Sequence, residues 1–120
     1  MFKKKPKKTR EEIIREWMRL IPAQNVEFEE NEENRVVLLV PHQENWLTKK
    51  LLPAPKKPAG RIKLDEIGTF VWGLCDGTHT VKSISEKLDE KFGERVHPAD
   101  ERTVIFLQQM YQQEFIQVYE

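Results

Sequence analysis

Apolar residues recur along this chain with two periods, and the two periods divide it into helical and extended stretches. The clearest helical stretch follows Asp65: Ile67, Phe70, Val71 and Leu74 fall at i, i+3, i+4 and i+7, the spacing of one helix face. Asp65 stands where a side-chain oxygen satisfies free amides of the first turn. Asp76-Gly77 supplies a residue that tolerates positive φ just beyond the helix end. Val81, Ile84 and Leu88 then repeat at i, i+3 and i+7, with Phe92 one further turn on; Thr78 or Thr80 caps this second helix and Gly93 stops it. Two helices joined by a short glycine-containing turn form a helix-turn-helix unit. Pro98 suits the first turn of a third helix. Its core face is Thr103, Phe106, Leu107, Met110 and Tyr111, it ends near Glu114, and Phe115, Ile116 and Val118 follow as an apolar tail.

The two-residue period appears earlier in the chain. Val26-Glu27-Phe28-Glu29 alternates as a half-buried strand does, Asn31 to Asn34 has turn chemistry, and Arg35 to Val40 is apolar and rich in valine, so the three read as a hairpin. Arg61-Ile62-Lys63-Leu64 alternates again and predicts a short third strand leading into the helix after Asp65. Residues 41–60 hold four of the seven prolines and predict a long loop, with one helical turn around Asn45 to Leu52 and with Trp46, Leu47, Leu51 and Leu52 pinning it to the body. Nearer the start, Thr9 and Glu12 have capping-box spacing and Ile13, Ile14, Trp17, Leu20 and Ile21 form one stripe, which predicts an amphipathic helix over 10–21 stopped by Pro22. The expected architecture is α+β: three short strands and then three helices over 26–120, with 41–60 as a loop insertion, preceded by a basic tail and an extra N-terminal amphipathic helix over 1–25.

Composition narrows the class. With 120 residues, 38% hydrophobic and 33% charged, the chain builds one domain with a modest core. No apolar run approaches the ~20 residues of a membrane helix, and the basic N-terminus lacks the apolar stretch of a secretory signal. The lone Cys75 has no partner for an internal disulfide, so a reduced, cytoplasmic setting is expected. The net charge of zero hides an asymmetry. Residues 1–10 carry six bases and no acid, leaving fourteen bases against twenty acids in the rest. An acidic body is poorly suited to nucleic acid, and no specific nucleic-acid partner is expected.

Catalytic chemistry is sparse. His42, His79 and His97 are not spaced with another His or Cys as metal ligands are. Cys75, at the end of a core helix, reads as a small buried residue. There is no phosphate-binding glycine loop, no Gly-x-Ser-x-Gly and no His-Glu-x-x-His, and Glu29, Glu30, Glu32 and Glu33 surround a solvated turn. No catalytic residue, metal or cofactor is expected, and the chain does not read as an enzyme. The outer face of the third helix carries Glu101, Arg102, Ile105, Gln108, Gln109 and Gln112. Glutamine reads adenine, which keeps a winged-helix DNA-binding regulator as an alternative; a structural adaptor, homodimeric through its N-terminal helix, is another. Ile105 on that polar face reads as a stray surface residue or as one wall of a shallow groove shared with the third strand.

From about Val36 to Ile116 the chain resembles the PqqD-like family. The resemblance is carried by Ile62-Lys63-Leu64-Asp65-Glu66-Ile67-Gly68, by Trp72 with Cys75-Asp76-Gly77, by Thr80-Val81 with Ile84 and Leu88, and by Phe106-Leu107-Gln108-Gln109-Met110. It implies a winged helix-turn-helix-like fold. It also implies a non-catalytic role: holding the leader of a ribosomally made precursor peptide and presenting it to a modifying enzyme, often a radical S-adenosylmethionine enzyme, in pyrroloquinoline quinone or a related biosynthesis. Family leaders add a strand along the third strand, in the groove it makes with the third helix. That places peptide contacts at Arg61, Ile62, Lys63 and Leu64 on the strand and at Ile105, Gln108, Gln109 and Gln112 on the helix. The two bases of the strand would meet an acidic leader, and whether the Ile62 or the Lys63 amide faces the open edge is left undecided. The chain departs from the family pattern in its N-terminal helix, in the 41–60 loop, and in having Glu114 where members commonly have a glycine stop.

Overall fold

The computed structural model describes residues 8–40 and 60–120. The first helix, α1 (Arg10–Met18), is capped by Thr9, whose hydroxyl accepts from the Glu12 amide at 3.2 Å. It ends before the Ile21 expected from its stripe. The chain turns extended at Leu20 and forms β1 (Ile21–Gln24), which pairs antiparallel with β5 (Ile116–Tyr119) in the register Ile21↔Tyr119 to Gln24↔Ile116. The apolar tail after Glu114 is therefore a strand, and Pro22 lies inside one. Its missing amide costs no ladder bond. Gln24 donates on the opposite side, to the Cys75 carbonyl, and Pro22 shares that parity, so the β1–β5 bonds run through its neighbours. β1 thus bonds to β5 on one edge and to the Cys75–Gly77 turn on the other.

The second sheet has the order β2-β3-β4, antiparallel throughout: β2 (Phe28–Glu30), β3 (Val36–Val40) and β4 (Gly60–Lys63). The hairpin turn is closed by Asn31, whose side-chain oxygen accepts from the amides of Glu33 and Arg35. The predicted order of one helix, three strands and three helices is thus corrected in its strands, which number five in two sheets, while the α-helices are the four expected, among the described residues. The predicted loop over 41–60, with its pinning aromatics and leucines, lies outside the described residues save Gly60.

The three helices that follow are α2 (Glu66–Leu74), α3 (Val81–Phe92) and α4 (Ala99–Gln112), with a short 3-10 turn over Gly93–Val96. The N-caps of α2 and α3 are those the sequence expects, whereas Pro98 stands just before α4 rather than in its first turn. Asp65 accepts from the Gly68 amide at 2.7 Å, and Thr80 from the Ser83 amide at 3.1 Å. Val71, Ile84, Leu88, Leu107 and Met110 are buried together, with Trp72, Leu38 of β3 and Ile116 of β5; Phe70 and Leu74 pack at the margin. The Thr69 hydroxyl accepts from the Val36 amide at 3.0 Å, fastening α2 to the sheet. Tyr111, expected in the core, is exposed. The buried stripe of α4 runs Thr103, Val104, Leu107, Met110, turned slightly from the predicted face, and Tyr111 meets Trp17 of α1 edge to face at 5.9 Å.

Candidate functional site

β4 is an edge strand. β3 occupies one side of it, and among the described residues no strand pairs with the other. The parity of its backbone follows from two bonds. The Leu64 amide donates to the Val36 carbonyl at 2.8 Å, and the Leu39 amide donates away from β4, to the Glu27 carbonyl at 2.9 Å. Antiparallel pairing alternates residue by residue, so Ile62 faces β3 through its amide, and the amides of Arg61 and Lys63 point off the sheet. This settles the register that the sequence left undecided: the donors on the open edge are Arg61 and Lys63.

Side chains alternate in the opposite sense, across the faces of the sheet. Ile62 lies beside Leu38 on the face toward α2 and is 40% exposed, half-covered at the margin of the core. Leu64, beyond the end of β4, is only 7% exposed and is a core residue. Its side chain is unavailable to a ligand. Arg61 and Lys63 stand on the outer face, but neither is a free cation. Arg61 pairs with Glu29 of β2 and Lys63 with Glu33 of the hairpin turn, the latter at 2.9 Å. The hydrogen bond and charge of Lys63 hold the Glu33 carboxyl below the usual carboxylate range.

The α4 residues expected to face β4 are distributed over three depressions. Ile105 and Gln109, with Arg102 and Phe106 on the same stripe, line a groove of about 280 Å³ against Asp65, Ile67 and Gly68, the segment that directly follows β4. Ile105 and Gln108 line a second, of about 320 Å³, whose far wall is Ile13 and Ile14 of α1. Gln112 lines a third beside Asn25 and Gln117. None of Arg61, Ile62, Lys63 and Leu64 lines any of the three: Ile105 and Gln109 share their groove with Asp65, two residues beyond β4, and Gln108 and Gln112 stand apart from it. Sequence reasoning missed Ile67 as a groove residue, because it also belongs to the core stripe of α2, and missed the α1 wall, which has no signal short of the α1–α4 packing.

Cys75 and Asp76 lie at the end of α2. Cys75 is fully buried, its thiol donates toward the Val71 carbonyl at 3.3 Å, and burial pushes its pKa up to about 12. Asp76 accepts from the Thr78 hydroxyl and from the Thr78 amide, and His79 Nδ1 lies 3.0 Å away; these bonds hold its carboxyl well below the usual range. Together they tie the turn between α2 and α3. Among the described residues no three His, Cys, Asp or Glu side chains gather as metal ligands would, and no helix is long and apolar enough to cross a membrane.

A small α+β domain with two antiparallel sheets, a strand edge unpaired among the described residues and a groove between two helices is the class these features define. Comparison with family models makes the assignment narrower. The model described as coenzyme PQQ synthesis protein D (PqqD) matches residues 35–116, and the chain belongs to that family. The match spans β3 to the first residue of β5 and leaves α1, β1 and β2 outside it. Comparison with curated proteins and with solved structures finds no match.

Proposed function

We propose that this protein is a non-catalytic peptide-binding module of the winged helix-turn-helix-like type. In this reading it holds the leader of a ribosomally made precursor peptide as an added strand on β4 and presents it to a modifying enzyme, of the radical S-adenosylmethionine class. Family membership ties it to coenzyme PQQ synthesis or a related peptide pathway. The observation that carries the reading is the outward direction of the Arg61 and Lys63 amides on a strand whose second edge is unpartnered among the described residues. Such an edge is a template for another strand, and main-chain bonds then supply affinity while alternate side chains supply specificity. Ile62, half-exposed on the same strand, offers the apolar contact.

The test is calorimetric titration with the precursor peptide encoded beside the gene, with circular dichroism as the check of folding. Methylating alternate amides of the peptide leaves the protein untouched and is expected to weaken binding in one parity only, since only alternate amides of an added strand face β4. Lys63→Pro removes an outward donor and is expected to weaken binding with the fold retained. Ile62→Pro removes a bond to β3 and is expected to lower the melting temperature instead. Equal binding by both methylated peptides and by a folded Lys63→Pro variant would show that the peptide does not use this edge.

A further inference from the structure

The groove between α2 and α4, whose lining starts at Asp65 two residues beyond β4, has an apolar floor and a charged rim. Ile67 and Val71 of α2, Leu88 of α3, Val96 of the 3-10 turn and Phe106 of α4 make the floor. Gly68 allows α2 and α4 to close on one another there: a Cβ at that position would lie 3.4 Å from the Phe106 ring and 3.1 Å from Asp65 Oδ1. Arg102 stands at the rim on the helix turn before Ile105 and is exposed. Its charge sets it apart from the other cations around the site. Arg61 is held by Glu29, Lys63 by Glu33, Arg10 by Glu101 and Arg95 by Glu66, whereas Arg102 makes no ion pair among the described residues. The carboxylates nearest it in the chain are engaged elsewhere: Glu101 with Arg10, and Asp100 as acceptor from the Glu101 amide. Asp65, across the groove, accepts from the Gly68 amide.

We infer that this groove selects peptides in which an apolar side chain is followed, one or two residues on, by a carboxylate, and that Arg102 rather than Arg61 or Lys63 reads the acid. This rests on the strand-addition reading above and deepens it. The apolar side chain fills the floor, where its transfer from water is favourable. The carboxylate meets a guanidinium with donors to spare, a charge-assisted contact of the strong kind. An acid aimed at Arg61 or Lys63 would have to displace Glu29 or Glu33 and would gain little by the exchange.

The experiment is fluorescence anisotropy with short labelled synthetic peptides that share one strand-forming segment and differ in the element after it: Leu-Asp-Thr-Asp, Leu-Asn-Thr-Asn or Ser-Asp-Thr-Asp. The first is expected to bind about tenfold more tightly than the second, the scale of one hydrogen bond to a charged group, and more tightly than the third. Arg102→Gln should remove the preference for Asp over Asn, and Arg102→Lys should keep part of it. The double change Arg61→Gln, Lys63→Gln should keep that preference. If all three peptides bind and the Asp preference is absent, or survives in Arg102→Gln, this inference falls and the strand-addition reading stands. If no peptide of the set binds, both fall.

Discussion

Glu114 is the residue at which this chain departs most visibly from ordinary helix chemistry. It lies at φ 63°, in the left-handed region that favours glycine. The surrounding bonds show why the backbone must go there. The Phe115 amide reaches back to the Met110 carbonyl at 2.9 Å and the Glu114 amide to Tyr111 at 3.0 Å, the paired bonds that close a Schellman end, with Phe115 and Met110 both buried. The position demands glycine geometry and the sequence supplies glutamate. Glu114→Gly should therefore raise stability by up to about 1.5 kcal/mol: relief of ~1–2 kcal/mol of left-handed strain less ~0.5–1 kcal/mol of added chain entropy. Chemical denaturation measures it. Asp76 gives a second test. Its carboxyl is lowered in the fold, so its contribution is present above the unfolded value near 3.9 and lost as pH falls through the lower folded value. Asp76→Ala should melt below the parent at neutral pH, and the gap should narrow as the pH drops below 4. A gap that stays constant with pH would show that Asp76 acts through its shape alone.

At the level of elements, what was legible in the sequence is what local chemistry decides. α2 and α3 could be read because their caps, Asp65 and Thr80, and their 3.6-residue periods lie within the elements themselves. The ribbon of β1 and β5 could not. Its partners are distant in sequence, Pro22 reads as a helix stop, and strand pairing leaves no mark in four residues taken alone. The candidate site was legible in part for the same reason. The strand at Arg61–Lys63 shows its alternation, but its outward amides depend on the register with β3, and the pairing of its bases depends on glutamates brought in by the hairpin. Element packing also ranks stability. α1 has no fully buried residue, whereas Leu88 of α3 is 1% exposed. Trp17→Ala should lose amide-exchange protection over residues 10–18 and leave α3 protected. Leu88→Ala should cost on the order of 2–5 kcal/mol globally. Protection lost equally in both helices of the Trp17→Ala variant would mean that α1 is part of the cooperative core.

For the molecule as a whole, charge is divided along the chain rather than balanced in place. The first ten residues hold six bases, and the remainder is net acidic. Association with DNA through such a run is screened by salt, because it releases counterions and reads no sequence. Any retention on DNA should fall steeply with added salt and disappear on removal of residues 1–8, as a gel-shift series would measure. Retention of a sequence preference by that shortened chain would favour the DNA-binding alternative instead.

The β1–β5 ribbon has a mechanical consequence. Ile21 is opposite Tyr119 and Gln24 is opposite Ile116, so the chain enters and leaves the ribbon at the same end. A force drawing those two ends apart loads the bonds one at a time, beginning at Ile21 and Tyr119, as a zipper opens. Strands pulled from opposite ends share the load across every bond at once and resist far more. Tethered by its two ends, this domain would yield first along the ribbon, while the β2-β3-β4 sheet and its open edge stayed assembled behind it.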